Sequence, residues 1–367
     1  MLPRCDKCTT YHLNASPSDG DTFKYEQHVI QYTACETEKT DDDLQASHNQ
    51  KTVVTFDLQQ ILQYPKVKGA KQSFYKSRMV LYNLCFFVKN TKQGYCYCWT
   101  QVEGLKGGNE ISTCLARFVR DHLFDHQHVV FWSDNCPGQN KNRHMMAALS
   151  QLTASRPEGS IIELKFFETG HSHMEADSMH AKIERDSKFR EVATPGDWIQ
   201  IFQAGRGGGE GAYIVRELTH EDFLDYSAVA SRVFVKSDCL KGISKKHVIR
   251  FEREGEVVLI SWADCVLGPL QPVRYRGQGG QLQWQQYEQL PKAFESRLPL
   301  PSKRYEDSRS LIPCLANQQM ARLYFDSIAE LVVTEGRGDN PAVPDIAESA
   351  SEQTDEEDDR PLSQLLA

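Results

Sequence analysis

Between Thr52 and Asp186 the chain alternates short apolar runs with amphipathic stretches, and their order carries most of the information. Val53-Val54-Thr55-Phe56 is a β-branched and aromatic run ending in Asp57, the pattern of a buried strand. Residues 78–88 (RMVLYNLCFFV) predict a second strand, Lys89-Asn90 to Gly94 a hairpin turn, and Tyr95 to Gln101 a third strand. Gly107-Gly108-Asn109 opens a helix that presents Ile111, Cys114, Leu115 and Phe118 on one face. His128-Val129-Val130-Phe131-Trp132 predicts a fourth strand that ends at Ser133-Asp134. Pro137-Gly138 then turns the chain into a helix from about Gln139 to Leu152. Ser160 to Phe167 reads as a fifth strand, and a loop with Gly170 and His171 leads to a helix from about Met174 to Asp186. The predicted order is β-β-β-α-β-α-β-α. Doubly wound nucleotide-binding folds alternate strand and helix from the outset, and neither G-x-G-x-x-G nor a Walker loop is present.

The flanks differ. Residues 1–50 form a polar segment, with a turn at Ser16-Pro17-Ser18-Asp19-Gly20 and a helix start expected at Asp41-Asp42-Asp43. The α/β domain spans 51–190. Pro195-Gly196 marks a boundary, Gly205 to Gly211 is glycine-rich, and strand-like runs follow at Arg232–Val235, Val248–Phe251 and Val257–Trp262. Residues 195–335 are therefore expected to form a small α+β or β-rich module. From 336 to 367 the chain is polar and acidic, so disorder is expected. No repeat of fixed period is visible, which argues against solenoids and propellers.

Composition adds little to the fold but narrows the setting. Apolar residues make up 40% and charged residues 25%, the balance of a soluble globular protein. The net charge of −8 is unevenly spread, because residues 345–360 alone carry −7. Residues 51–190 hold 19 Lys or Arg against 13 Asp or Glu, a net of +6, which suits a polyanionic partner. The start, MLPRCDKCTT, does not resemble a signal peptide, and no run approaches the ~18 apolar residues of a membrane span. Eleven cysteines, many within apolar strands, match usage in a reducing, intracellular compartment.

The chemistry sits on the strand ends. Asp57 closes the first strand and Asp134 the fourth, and in this order those strands are expected to be neighbours. Two carboxylates facing one another in a partly dry site repel unless a cation neutralises them, and hard ions such as Mg²⁺ or Mn²⁺ prefer such ligands. A third acid is expected from the last helix. Glu175 and Asp177 lie about 200° apart around a helix axis, so only one can face the site. Asp177 shares a stripe with His173, His180 and Glu184, whereas Glu175 shares its side with Ser178, Lys182 and Asp186. Asp177 is the better candidate and Glu175 the alternative. His173 and His180 are candidate catalytic residues, although the stripe equally fits a surface ion-pair face. One of His171 and His173 is a candidate proton carrier, where both otherwise read as loop or capping histidines. A lone Asp at a strand end is otherwise a helix or turn cap.

Directly after Asp134, the residues Asn135, Gln139, Asn140, Lys141 and Arg143 are candidate contacts to a nucleic-acid backbone or base edge. Asn at such positions is equally a turn and helix-start residue. Cys5-x-x-Cys8 is half of a Zn²⁺-binding pattern, with His12, His28 or Cys35 as candidate partners. No second pair has regular spacing, so packing or a truncated finger is the favoured reading over a complete zinc site.

With these residues identified, residues 51–190 resemble the ribonuclease H-like catalytic core of DD(E/D) transposases and retroviral integrases. Asp57 matches the first-strand aspartate and Asp134 the fourth-strand one. Ala176 to Ile183 is similar to the last integrase helix, where an acid is followed six residues later by an apolar anchor, so that Asp177 completes a D-D-D set. The succession FDLQQ, GGNEISTCL, SDNCPGQNKN and GHSHMEADSMHAKIER also resembles a transposon-derived family of multicopy animal genes carrying a domain of unknown function. The resemblance implies a mixed five-stranded sheet and two-metal cleavage and strand transfer of DNA with Mg²⁺ or Mn²⁺. It also implies nuclear action without a membrane partner, and it leaves a homo-oligomer open. The Asp134–Asp177 spacing exceeds the integrase pattern and the CxxC is fragmentary, so a truncated, decayed or domesticated copy fits the same residues. A non-catalytic protein that binds nucleic acid or protein fits them too. A ribonuclease or 3′–5′ exonuclease fits less well, because Asp57-Leu58-Gln59 lacks the second acid of the exonuclease D-x-E motif.

Overall fold

A computed structural model describes residues 5–68, 73, 75–205, 211–235, 239–276, 284 and 287–333. Two helices come first, α1 (Asp6–Leu13) and α2 (Asp19–Ser47). Strands β1 (Thr52–Leu58), β2 (Leu62–Tyr64), β3 (Met79–Val88) and β4 (Gln93–Thr100) follow, then α3 (Gly108–His122) and β5 (His128–Ser133). Next come α4 (Pro137–Asn140), α5 (Arg143–Ser155), β6 (Ile161–Phe166), α6 (Glu175–Ser187) and α7 (Pro195–Gln203). The remaining main elements are β7 (Ile214–Glu217), α8 (Tyr226–Val233), β8 (Val248–Glu254), β9 (Val257–Ala263) and β10 (Gln271–Pro272). Beyond these lie β11 (Leu300–Pro301), α9 (Ser302–Arg309), α10 (Gln318–Ser327) and β12 (Val332–Val333).

Ten strands form one mixed sheet in the order β10-β9-β8-β6-β5-β1-β3-β4-β7, with β2 pairing to β3 off this path. Strand β3 is antiparallel to both β1 and β4, whereas β1, β5 and β6 run parallel. The parallel strands are buried along almost their whole length, as strands covered on both faces are. The charged Glu163 and Lys165 within β6 are buried with ion-pair partners. Successive side chains alternate faces. Val54 and Phe56 join the core under α3, α5 and α8, whereas Val53 joins the core under α2, α6 and α7. Asp57, two residues beyond Thr55, therefore projects toward α2 and α6.

The N-terminal segment departs from expectation. Helix α2 runs unbroken through Asp41-Asp42-Asp43, so these acids sit near its C-terminus rather than its start. The true start is Ser18, whose hydroxyl accepts the Asp21 N–H while the Asp21 carboxylate accepts the Ser18 N–H. Acids near a helix C-terminus oppose the macrodipole. Tertiary contacts override that cost here. The fully buried Asp42 receives Lys51 Nζ at 2.9 Å, Lys165 Nζ at 2.7 Å and the Trp132 indole N–H at 2.9 Å. These bonds pin α2 to β5 and β6.

Residues 195–335 also differ from the expected module. Strand β7 adds in parallel to β4 at one edge, and β8 to β10 extend the other edge beyond β6. The Arg232–Val235 run falls at the end of α8, which Asp225 starts by accepting the Ser227 N–H. Most of the glycine-rich stretch after Gly205 and the acidic region 336–367 lie outside the described residues. Among the described residues no helix is long and apolar enough to cross a membrane.

Candidate functional site

The site forms where β1 and β5 end side by side. Thr55 pairs with Trp132 across these parallel strands, so continuing the register by two residues sets Asp57 level with Asp134. Helix α6 lies over the same face, anchored by Ala176, Met179 and Ile183. That anchoring turns Asp177 and His180 toward the strand ends. Single oxygen or nitrogen atoms of Asp57, Asp177 and His180 all lie within 4.8 Å of one another. His180 Nδ1 is 3.7 Å from Asp57 Oδ2.

Burial and like charge favour the protonated form of these carboxylates. Burial is the largest cause pushing the Asp57 carboxyl up to about 7, and the nearby Asp134 charge adds to it. His180 opposes that shift, and Asp177 reinforces it. Asp134 is raised in the same way, by burial first and by Asp177 second. Like charges packed in a partly dry site hold a proton, or a cation in its place. Burial pushes the His180 imidazole below its usual range, although Asp57 and Asp177 work against this.

Neighbouring side chains hold the group in place. Asn140 Nδ2 donates to Asp134 Oδ1 at 2.9 Å. The buried Gln59 accepts from Asn83 Nδ2 at 2.9 Å and donates to the His180 carbonyl at 3.5 Å, linking β1, β3 and α6. Asp177 Oδ2 also accepts the Met174 N–H at 2.9 Å, so this acid caps its own helix. Gln59 lies within the FDLQQ stretch, but its clamping role depends on β3 and has no local signal.

The remaining candidates separate. Glu175 faces Lys89 at 2.7 Å and Lys39 at 3.8 Å, away from the acids, as its position on the helix implied. His173 is exposed and outside the cluster. The expected nucleic-acid contacts divide as well. Asn140 and Lys141 are buried, and Lys141 bonds Asn135 Oδ1 and the Ser244 carbonyl while sitting 4.4 Å over the Phe166 ring. Burial lowers the Lys141 ammonium to about 7. Lys141 is thus a packing residue rather than a surface contact. Arg143 is exposed and donates to the Phe234 carbonyl at 3.0 Å, and Gln139 is half-buried. A cavity of about 320 Å³ lined by Glu103, Arg297 and Tyr324 among others includes none of the three acids.

A second metal-compatible group is formed by Cys5, Cys8, His28 and His171, whose ligand atoms also lie within 4.8 Å of one another. Of the expected partners for the CxxC, His28 is present and His12 and Cys35 are not. His171, expected as a loop or capping histidine or as a proton carrier beside the acids, completes the set instead.

A family model described as a domain of unknown function, DUF7869, matches residues 76–263. The chain belongs to this family. The DUF7869 match contains Asp134, Asp177, His180 and His171, whereas Asp57, Cys5, Cys8 and His28 precede it. Both clusters therefore join residues of the DUF7869 segment to residues N-terminal of it. Comparison with curated proteins and with solved structures found no match.

Proposed function

We infer that β4-β3-β1-β5-β6 with α3, α5 and α6 is a ribonuclease H-like core, and that the chain is a metal-dependent phosphoryl-transfer protein acting on DNA in the manner of transposases and integrases. One observation carries the reading: Asp57, Asp177 and His180 converge, and the charge of Asp134 bears directly on Asp57. The strand directions support it, since three antiparallel strands followed by two parallel ones match the order expected for that core. The DNA substrate and nuclear action rest on this reading and on the net positive charge of residues 51–190.

The donor set fits a hard divalent cation. Asp57 and Asp177, with Asp134 beside Asp57 at the strand ends, supply the oxygen ligands that Mg²⁺ and Mn²⁺ prefer. Asp57, Asp134 and Asp177 would hold the ion or ions. The chemistry that a cation held there would supply is activation of an attacking oxygen and neutralisation of charge on the leaving oxygen of a phosphodiester. The protein's own part is positional. Asn140 orients Asp134, Gln59 fixes the His180 backbone, and the neutral imidazole of His180 is available to accept a proton. Its Nε2 is buried with no protein partner among the described residues. Cys5 and Cys8 take no part in this reading.

The capping bond from Met174 to Asp177 favours a second reading, in which the fold is kept as a DNA- or protein-binding scaffold without catalysis. One experiment separates the two. Supercoiled and oligonucleotide DNA are incubated with Mn²⁺ and wild type, Asp57→Asn or Asp134→Asn, and nicking and strand transfer are scored. The catalytic reading expects activity in wild type that drops at least a hundredfold in both variants. Equal activity in all three refutes it, and metal-independent DNA binding by all three supports the scaffold.

A further inference from the structure

We propose that Cys5, Cys8, His28 and His171 form a structural Zn²⁺ site that locks the two N-terminal helices onto the loop preceding α6. The distances fit. Cys5 Sγ lies 3.2 Å from His28 Nε2, Cys8 Sγ lies 3.5 Å from His171 Nε2, and the two Nε2 atoms are 3.1 Å apart. A tetrahedral zinc with ordinary Zn–S and Zn–N bonds sets S···N at about 3.6 Å and N···N at about 3.3 Å. These three separations sit within a few tenths of an ångström of those that the ion requires, and the remaining pairs of donors lie within 4.8 Å.

Local structure explains each ligand. Cys5 caps α1 and its Sγ accepts the Cys8 N–H at 3.4 Å, so the CxxC spacing across one helical turn brings both sulfurs to one side. His28 is buried on α2, and its Nδ1 lies 3.0 Å from Glu168 Oε1. A carboxylate behind a histidine fixes the tautomer that leaves Nε2 as the ligand atom, an arrangement common in zinc sites. His171 is oriented by stacking on Tyr32, with ring centroids 4.1 Å apart and 9° between planes. Gly170 makes the approach feasible. Its φ is +81°, and an added Cβ would fall 2.4 Å from the Cys5 Cβ.

The donor chemistry selects the ion. Two thiolates and two imidazoles suit zinc rather than Mg²⁺ or Ca²⁺, and four protein ligands leave no open position, which marks a structural site. Such an ion joins residues 143 positions apart, His28 and His171. The loop that it fixes enters α6, which carries Asp177 and His180. The zinc site thereby sets where that helix begins. It shares no ligand with the acidic cluster and stands whether or not the chain cuts DNA.

The test uses the full chain, purified without chelator. Elemental analysis is expected to find one zinc per chain. Cobalt substitution is expected to give the visible bands of a tetrahedral ion and near-ultraviolet thiolate charge transfer. Cys8→Ser and His171→Ala should each retain less than a tenth of the zinc, whereas His171→Cys should keep the metal with stronger charge transfer. Asp57→Asn should keep one zinc per chain, which separates this proposal from the fate of the acidic site. A wild-type chain that takes up neither zinc nor cobalt overturns the proposal. So does a Cys5–Cys8 disulfide in the native protein, or full zinc retention in the Cys8→Ser, His171→Ala double variant.

Discussion

Replacing Asp57 by Asn should stabilise the cation-free protein at neutral pH, an unusual outcome for a buried polar position. Burial and the charge of Asp134 hold the Asp57 carboxyl at about 7, against 3.8 for a free side chain. The folded state therefore binds this proton more tightly than the unfolded state does. Stability from this group is complete below the unfolded value and is lost as pH rises through about 7. A rise from 3.8 to about 7 corresponds to roughly 4 kcal/mol, of which about 2 kcal/mol falls between pH 5.5 and 8. The side chain is 21% exposed, so solvent screening is modest. Asn does not titrate and should lack this loss. Thermal unfolding followed by dye fluorescence in chelator-free buffer, with no added Mg²⁺ or Mn²⁺, reads the difference. Wild type should fall by on the order of 3 °C relative to Asp57→Asn between pH 5.5 and 8. Millimolar Mn²⁺ should restore wild type at pH 8 and leave the variant unchanged. Parallel pH profiles for the two proteins, or equal responses to Mn²⁺, refute the reasoning.

Further positions give sharper contrasts. Asp42→Ala leaves Lys165 and Lys51 facing a vacated buried partner, and should cost about 3–5 kcal/mol in chemical denaturation. Glu175→Gln removes contacts to Lys89 and Lys39 only, so Mn²⁺ titration should give an affinity within twofold of wild type. Gly170→Ala forces a left-handed backbone on a residue with a Cβ. It should cost at least about 1–2 kcal/mol by thermal or chemical unfolding, more if the contact with Cys5 cannot relax. His180→Ala should reduce Mn²⁺-dependent nicking at least tenfold while leaving the far-ultraviolet circular dichroism unchanged.

The central strands were legible because each is a compact apolar run bounded by turn residues, and all five appear within about three residues of expectation. Asp57 and Asp134 were legible for the same reason, as acids terminating such runs. The choice of Asp177 over Glu175 followed from helical angle alone, and the lysines that engage Glu175 agree with it. What the pattern hid depends on long-range contacts. Helix α2 has a polar, acid-rich sequence because several of its acids pair with lysines from the sheet rather than with solvent. Lys141 reads as a surface cation, yet cation–π contact with Phe166 and carbonyl bonding draw it inward. His171 belongs with Cys5 and Cys8 only after the chain has folded 163 residues back on itself. The strands beyond 195 carried no sign of which sheet they would join, since edge pairing is set by partners rather than by the strand's own sequence.

The most direct test of the acidic centre is crystallographic. Crystals of the full chain soaked in millimolar Mn²⁺ should show an anomalous difference peak bounded by Asp57, Asp134 and Asp177. A map in which manganese is absent from these three carboxylates, at a pH above 7 and with the surrounding side chains ordered, would contradict the account.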